Sequence, residues 1–567
     1  PVSQAPAHPF GEASTDSPEE VERAGSATNL GELAAPAALL GVALAALALR
    51  SPARGQGHLP ALLQVAAHPL ISGPAAALSG AIVLLLLAGT LWAWSLQRQL
   101  LRPGVLGGAR RARGRDLRAL RAGRRPAASV QLGTHRRRSI LLPGEEHLLV
   151  LGPTGAGKSS ALAIPAILEW PGPVVVTDPK GELLAATLAA RRGRGEVAVF
   201  APLMQPSDRW NPISAVASSE DALRTASFLM GKAPEREPFW HDLALQLLHG
   251  LVVEAATQGR PLSHVLNLLQ AVPGDELADE VSHPVARRLV LGALSGGDRT
   301  AMGVVATLVS RLGPYGTEQV AWATAQSSFD PAQIAGGSLG TIYCLVTPAD
   351  APLLRGLVSA LLSCCWRAVY AQPPQVPVLF VLDEFAQLTF LPELAALVQL
   401  GRSQGARILL LAQDLASISA QYGAETTSAL WANCRTKLLL PGISEVELLE
   451  RVSKLAGATT VHGRRDGSRG EPTGSHPLLP PDEIRRLPHD RALVLHGGDQ
   501  PALIRQRPWY RDARLRRLVG AGLPPAQAPR PARGRDLREW PAEILASSGD
   551  PLPWVAAGAD PALGIPA

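Results

Sequence analysis

The pattern of apolar and polar positions changes character several times along the chain, and each change marks an expected region. Residues 1–30 show no apolar period and gather acids (Glu12, Asp16, Glu19, Glu20, Glu22). This predicts a disordered tail, and it lacks the basic start of a signal peptide. Two uncharged apolar stretches follow, Leu33–Leu49 and Pro74–Leu96. The first would span about 26 Å as a helix, just enough for a bilayer. The second is longer, carries four leucines at 84–87, and has Trp92 and Trp94 near its end as interfacial anchors.

From about residue 128 the apolar runs become short. The runs at 148–151, 173–177, 196–200, 341–346, 378–382, 408–412 and 492–495 suit buried parallel strands separated by helical segments. That alternation predicts an α/β fold with a mostly parallel sheet covered on both faces. Residues 215–325 break the rhythm with helical spacing, as in Leu243, Leu247, Leu251 and Ala255. They are expected to form an inserted all-α domain, leaving 128–214 and 326–515 as the α/β core. Residues 461–475 are expected to be a mobile loop, and 516–567, rich in Pro and Ala, a tail.

Charge refines this picture. The net charge of the 567-residue chain is +6, yet lysine occurs only at 158, 180, 232, 437 and 454, so arginine carries most of the positive charge. A dense run (Arg98, Arg102, Arg110, Arg111, Arg113, Arg115, Arg118, Arg121, Arg124, Arg125) follows the second apolar stretch, opposed only by Asp116. By the positive-inside rule both chain ends are expected on the cytoplasmic side of two spans. The run, within a 98–127 linker, reads as stop-transfer and lipid-headgroup contact rather than as a DNA site. Cys344, Cys364, Cys365 and Cys434 have neither metal nor disulfide spacing, which fits reduced cytoplasmic thiols. The chain opens on Pro1, so an initiator Met is expected outside this numbering.

The chemistry concentrates at three strand ends. Gly152-Pro153-Thr154-Gly155-Ala156-Gly157-Lys158-Ser159, followed by Ser160, fits the phosphate-cradling loop G-x-x-x-x-G-K-[ST] between an apolar strand and a helix. In such a loop backbone N–H groups surround a nucleotide's phosphates, Lys158 reaches the β/γ oxygens, and the Ser159 hydroxyl ligates Mg²⁺. The run VLFVL ends in Asp383-Glu384, placing one carboxylate for the metal shell and a second to polarise water. Gln413, ending ILLLAQ, reads as a sensor of the γ-phosphate or a group that positions water, the alternative being a surface glutamine, and Arg402 reads equally as reaching a neighbouring subunit's nucleotide or as an exposed loop arginine. Asp178-Pro179-Lys180 reads equally as a nucleotide contact or as an Asp cap with Pro at the first helical position.

Together GPTGAGKSS, TDPKGEL (177–183), RWNPI (209–213), PFW (238–240), LDEFAQL (382–388), GRSQG (401–405) and AQDLASISAQYG (412–423) resemble the type IV secretion coupling proteins, the TraG/TraD-type conjugative ATPases. The resemblance runs from about residue 130 to 515. It implies a RecA-like P-loop core with an inserted all-α domain, anchored in the membrane as a homohexamer around a channel. It further implies ATP and Mg²⁺ as cofactors, with DNA, relaxase or relaxosome proteins and a type IV secretion channel as partners. By matching position, Lys158 and Ser159 bind nucleotide and metal, Asp383 holds Mg²⁺, Glu384 is the catalytic base, Gln413 the sensor and Arg402 the trans arginine. The arginine-rich linker and the Pro/Ala tail match no family motif, and no acidic recognition tail is present. An FtsK-like duplex DNA translocase and a docking receptor for secreted proteins are the alternatives.

Overall fold

The computed structural model describes residues 88–90, 92, 107–120, 128–142, 146–204, 206–234, 238–274, 276–401, 403–465 and 468–520. The chain divides into two units, Pro1–Val105 and Leu106–Ala567. Of the first, residues 88–90 and 92 are described and are helical. Most of both apolar stretches, the acidic tail, Arg402 and the residues after 520 thus lie outside the described residues. All that follows concerns the second unit.

Its main sheet is built around central parallel strands that are apolar on both faces. Strand β1 covers Val130–His135, β2 Arg138–Leu142, β3 Leu148–Leu151, β4 Val174–Asp178, β5 Glu196–Phe200, β6 Leu339–Leu345, β7 Val378–Leu382, β8 Ala406–Ala412 and β9 Thr436–Leu439. Strands β10 (Ala458–Arg465) and β11 (Ser468–Pro477) form a separate antiparallel pair. Strands β12 (Arg491–His496) and β13 (Ala502–Arg505) return to the main sheet, whose order is β2-β1-β13-β12-β9-β3-β8-β7-β4-β6-β5. From β9 to β5 all neighbours are parallel, while β12, β13, β1 and β2 are antiparallel.

Why the parallel strands read as unbroken apolar runs is visible in how they divide their side chains. In β3, Leu149 and Leu151 enter one core while Leu148 and Val150 enter the other; in β7, Phe380 and Leu382 oppose Leu379 and Val381. Successive side chains point to opposite faces of a strand, so a sheet covered on both sides needs apolar residues at every position.

One face is covered by helices between β5 and β6, Ser219–Met230, Pro238–Thr257, Leu262–Ala271, Pro284–Leu294, Asp298–Leu312 and Glu318–Ala323, together with the helix Ala351–Ala371. Ser218 caps the first of them, accepting from Asp221 N at 3.1 Å. Among the described residues Ala351–Ala371 is the one helix long and apolar enough to cross a membrane, but 61% of its most apolar window is buried inside the fold. Leu354, Leu357, Leu361 and Val369 belong to the core, so it is a core helix. The other face is covered by Ile164–Glu169, Glu182–Arg192 and Ala513–Gly520. Arg191 is buried at the sheet's amino-terminal edge, and among the described residues no carboxylate pairs with it. It donates to Trp170 O, Gly172 O, Gly340 O and Thr341 Oγ1 at 2.7–2.9 Å, stitching the starts of β4 and β6 together.

Several expectations need correction. The run at 492–495 is a strand but an antiparallel one, because it follows the β10–β11 excursion and returns against β9 and β13. Of residues 461–475, those at 461–465 and 468–475 belong to paired strands rather than a loop. The basic segment does not stop short of the fold. Leu117 and Leu120 are buried beside Ile140 and Leu142, Leu141 N donates to Leu120 O at 2.8 Å, Arg110 forks onto Asp116, and Arg111 pairs with Glu483 at 2.9 Å. Residues 107–120 are therefore part of the globular unit, with two leucines as pegs. All four cysteines are free thiols.

Candidate active site

Strand β3 ends at Leu151, and the chain turns through Gly152–Gly157 before resuming as a helix. Two positions require glycine. Gly155 and Gly157 have φ of 83° and 104°, conformations that side chains rarely adopt. At Gly157 a Cβ would also lie 2.4 Å from Gln506 Oε1, and at Gly152 one would meet Leu440 Cβ at 2.6 Å. Thr154 and Gly155 are exposed at the crest. The helix that follows opens with a π-type turn, Lys158–Ala163, before the α-helical Ile164–Glu169. Wider turns of this kind are frequent at functional sites.

Three strand ends meet at this loop. Lys158 Nζ donates to Gly152 O at 2.7 Å and lies 3.3 Å from Glu384 Oε1, both side chains being largely buried. Ser159 Oγ donates to Asp383 Oδ2 at 3.4 Å, and Gln413 Nε2 to Glu384 Oε1 at 3.4 Å. The structure thus brings Lys158, Ser159, Asp383, Glu384 and Gln413 together at the carboxyl ends of β3, β7 and β8, adjacent in the sheet. Parallel α/β sheets hold their ligands at that edge. Arg402 lies outside the described residues.

Burial pushes the pKa of Asp383 up to about 7, helped by the charges of Glu384 and Asp178 and opposed by Lys158. Its Oδ1 is buried without a hydrogen-bond partner among the described residues. A buried, unpartnered carboxylate oxygen beside a hydroxyl is a donor set suited to a hard divalent cation. No cluster of three His, Cys, Asp or Glu that could cage a metal occurs among the described residues. Mg²⁺ is commonly held by one or two side chains plus phosphate and water. The residues present therefore fit Mg²⁺, and Ser159 and Asp383 are the ones that could hold it.

Glu384 sits in the left-handed region, with φ 49° and ψ 39°, and opens the short helix Phe385–Leu388. A non-glycine residue held there costs about 1–3 kcal/mol and persists where its surroundings enforce it.

Asp178 caps the first turn of Glu182–Arg192, but from three residues before the cap position and without Pro179 at the first helical position. Gly181, φ 71°, occupies the cap position of Glu182–Arg192, and Asp178 reaches over it to accept from Leu184 N at 2.8 Å and Lys180 N at 3.2 Å. Burial raises its pKa to about 6. Two contributors had no role assigned from the sequence: Thr177, the first residue of TDPKGEL, whose hydroxyl donates to Asp383 O at 3.0 Å, and Gln506, which packs against Gly157.

The match to known proteins is consistent with this geometry. The model of the family described as type IV secretory system conjugative DNA transfer matches residues 109–528, well over half of the chain. The chain belongs to that family. It is 28% identical over 428 residues to the protein VirD4 of Rhizobium rhizogenes, covering 68% of this chain and 63% of that one. VirD4 of Agrobacterium fabrum gives the same identity and coverage. The match thus spans just under two thirds of these relatives' length. In three dimensions the chain is similar to the plasmid coupling protein TrwB in complex with ADP and Mg²⁺. The TM-score is 0.59 at 21% identity, covering 72% of this chain and 94% of TrwB. This likeness establishes that the family member described here has the coupling-protein fold.

Proposed function

We propose that the chain is a membrane-anchored ATPase that couples ATP hydrolysis to delivery of DNA, or a DNA–protein complex, to a type IV secretion channel. One observation carries the reading: the convergence of Lys158, Ser159, Asp383, Glu384 and Gln413 on the glycine loop at the carboxyl edge of the sheet. In this reading the loop's backbone N–H groups and Lys158 hold the phosphates of ATP. Glu384 accepts a proton from the attacking water, and Gln413 keeps both in register. Ser159 and Asp383 would hold Mg²⁺, which when bound would offset charge on the phosphate oxygens. The two apolar stretches serve as the anchor, with both ends of the chain cytoplasmic. Arg402 acts in trans within a homohexamer, and relaxosome proteins and the secretion channel are the partners.

The test is ATP hydrolysis by the purified full chain, alone and with single-stranded or duplex DNA, with Lys158→Ala as control. Stimulation by single strands that vanishes in the variant, together with loss of transfer when Lys158→Ala replaces the wild type in a mating assay, is the expected outcome. Stimulation by duplex alone would point to an FtsK-like translocase. Hydrolysis indifferent to DNA would favour a docking receptor for secreted proteins, and normal mating with Lys158→Ala would sink the motor reading.

A further inference from the structure

The motifs LDEFAQL and AQDLASISAQYG contain more than the two groups placed at the phosphates. Glu384 O accepts from Gln387 N at 2.9 Å and from Leu388 N at 3.2 Å, so the turn Phe385–Leu388 hangs on the residue with the left-handed backbone. Gln413 is followed by Asp414, which caps the helix Leu415–Asn433 by accepting from Ser417 N at 2.7 Å. That helix runs regularly to Tyr422 and breaks at Gly423, φ 84°.

The two elements are tied a second time, at their far ends. Arg355, half-buried on the core helix Ala351–Ala371, donates from Nε to Gln387 O at 3.1 Å and from Nη1 to Gln421 Oε1 at 3.2 Å. Among the described residues no carboxylate pairs with it. The Tyr422 and Thr389 hydroxyls lie 2.7 Å apart, Tyr422 Oη is 3.1 Å from Thr389 O, and the Tyr422 ring packs on Phe385 and Phe390, centroids 5.9 and 6.5 Å away. The turn after Glu384 and the helix after Gln413 are thus joined at both ends, by the Gln413–Glu384 contact and by the Arg355–Gln421–Tyr422 clamp.

We propose that Arg355, with Gln421 and Tyr422, forms a set of positioning residues that locks the turn after Glu384 to the helix after Gln413. The base and the sensor amide then move as one unit. This rests on the reading of Glu384 as the base of ATP hydrolysis. The clamp touches neither the glycine loop nor the metal-binding oxygens, so it acts on the chemical step and not on nucleotide binding. A guanidinium suits the task because its planar fork serves two acceptors on different elements in one fixed geometry.

The experiment is steady-state ATP hydrolysis by the full chain carrying Arg355→Ala, Gln421→Leu, Gln421→Glu or Tyr422→Phe. Arg355→Ala and Gln421→Leu are expected to lower kcat at least fivefold with KM for ATP within twofold. Gln421→Glu, which keeps an acceptor for Arg355, returns kcat to within twofold of the parent. In a Glu384→Gln background Arg355→Ala has no further effect, since its route of action is already removed. Should Arg355→Ala fail to fold, Gln421→Leu and the near-isosteric Tyr422→Phe carry the test, Tyr422→Phe with a smaller fall in kcat. Unchanged kcat in these variants of a hydrolysing chain, or loss expressed in KM alone, overturns the clamp and leaves the functional reading standing. Absence of hydrolysis in the unmodified chain overturns both.

Discussion

At the scale of single residues, Asp383 is the most perturbed group of the site. Its carboxyl is held near pKa 7, well above its unfolded value, so protonation favours the folded state. Stability from this source is fully present below about pH 4 and is lost as pH rises through 7, because the unfolded chain then gives up its proton first. Asp178, raised to about 6, adds a loss of the same sign over a lower window. Without nucleotide or divalent cation, the midpoint of thermal unfolding should therefore fall between pH 5 and 8. In Asp383→Asn that fall should be smaller, with Asp178 supplying the remainder. An identical pH dependence in the variant would show that burial does not set the Asp383 proton affinity.

At the scale of elements, the glycine loop is fixed from both sides. The carboxylates of the β7 end face Lys158 and Ser159, while Gln506, after β13, packs on Gly157 and is itself held by donating to His489 O and Arg491 O at 3.2 and 3.0 Å. Gly157→Ala meets two obstacles: a φ of 104° and the Gln506 oxygen 2.4 Å from the new Cβ. Strain of about 1–3 kcal/mol from the backbone alone predicts a loss of affinity for a fluorescent ATP analogue of roughly 5- to 150-fold. Adding Gln506→Ala removes the collision but not the backbone cost, so affinity should return in part. Full recovery would mean the conformation of Gly157 is immaterial. The β1–β2 hairpin shows why some elements escape a reading of the sequence. Its tight turn is made by Arg136 and Arg137, both at positive φ, where Asn-Gly would be the recognisable pair.

At the scale of the whole molecule, the basic segment before the first strand belongs to the folded unit. Leu117 and Leu120 are 2% exposed and complete the core behind β2, whereas Arg118 between them is exposed. Leu120→Ala should cost about 2–5 kcal/mol in chemical denaturation, as for other buried leucines, and Arg118→Ala close to nothing. Equal effects would return the segment to the status of a linker. Its other arginines are not all free for lipid or nucleic acid, since Arg110 and Arg111 are engaged by Asp116 and Glu483.

What the sequence determined by itself was whatever local pattern dictates. A doubly covered parallel strand must be apolar throughout, so β3, β4, β7 and β8 were legible within a residue or two. A phosphate loop needs its glycines and lysine in one short stretch, and a strand ending in Asp383-Glu384 announces its carboxylates. Only the tertiary structure decided what depends on partners distant in the chain. The antiparallel sense of β12 comes from where the chain has been, and the strand character of β10 and β11 from their pairing with each other. The burial of Leu117 comes from β2, and the role open to Arg355 from two acceptors 32 and 66 residues away. No local rule marks an arginine in a helix as a clamp, because the groups it joins become neighbours only when the sheet has brought β7 beside β8.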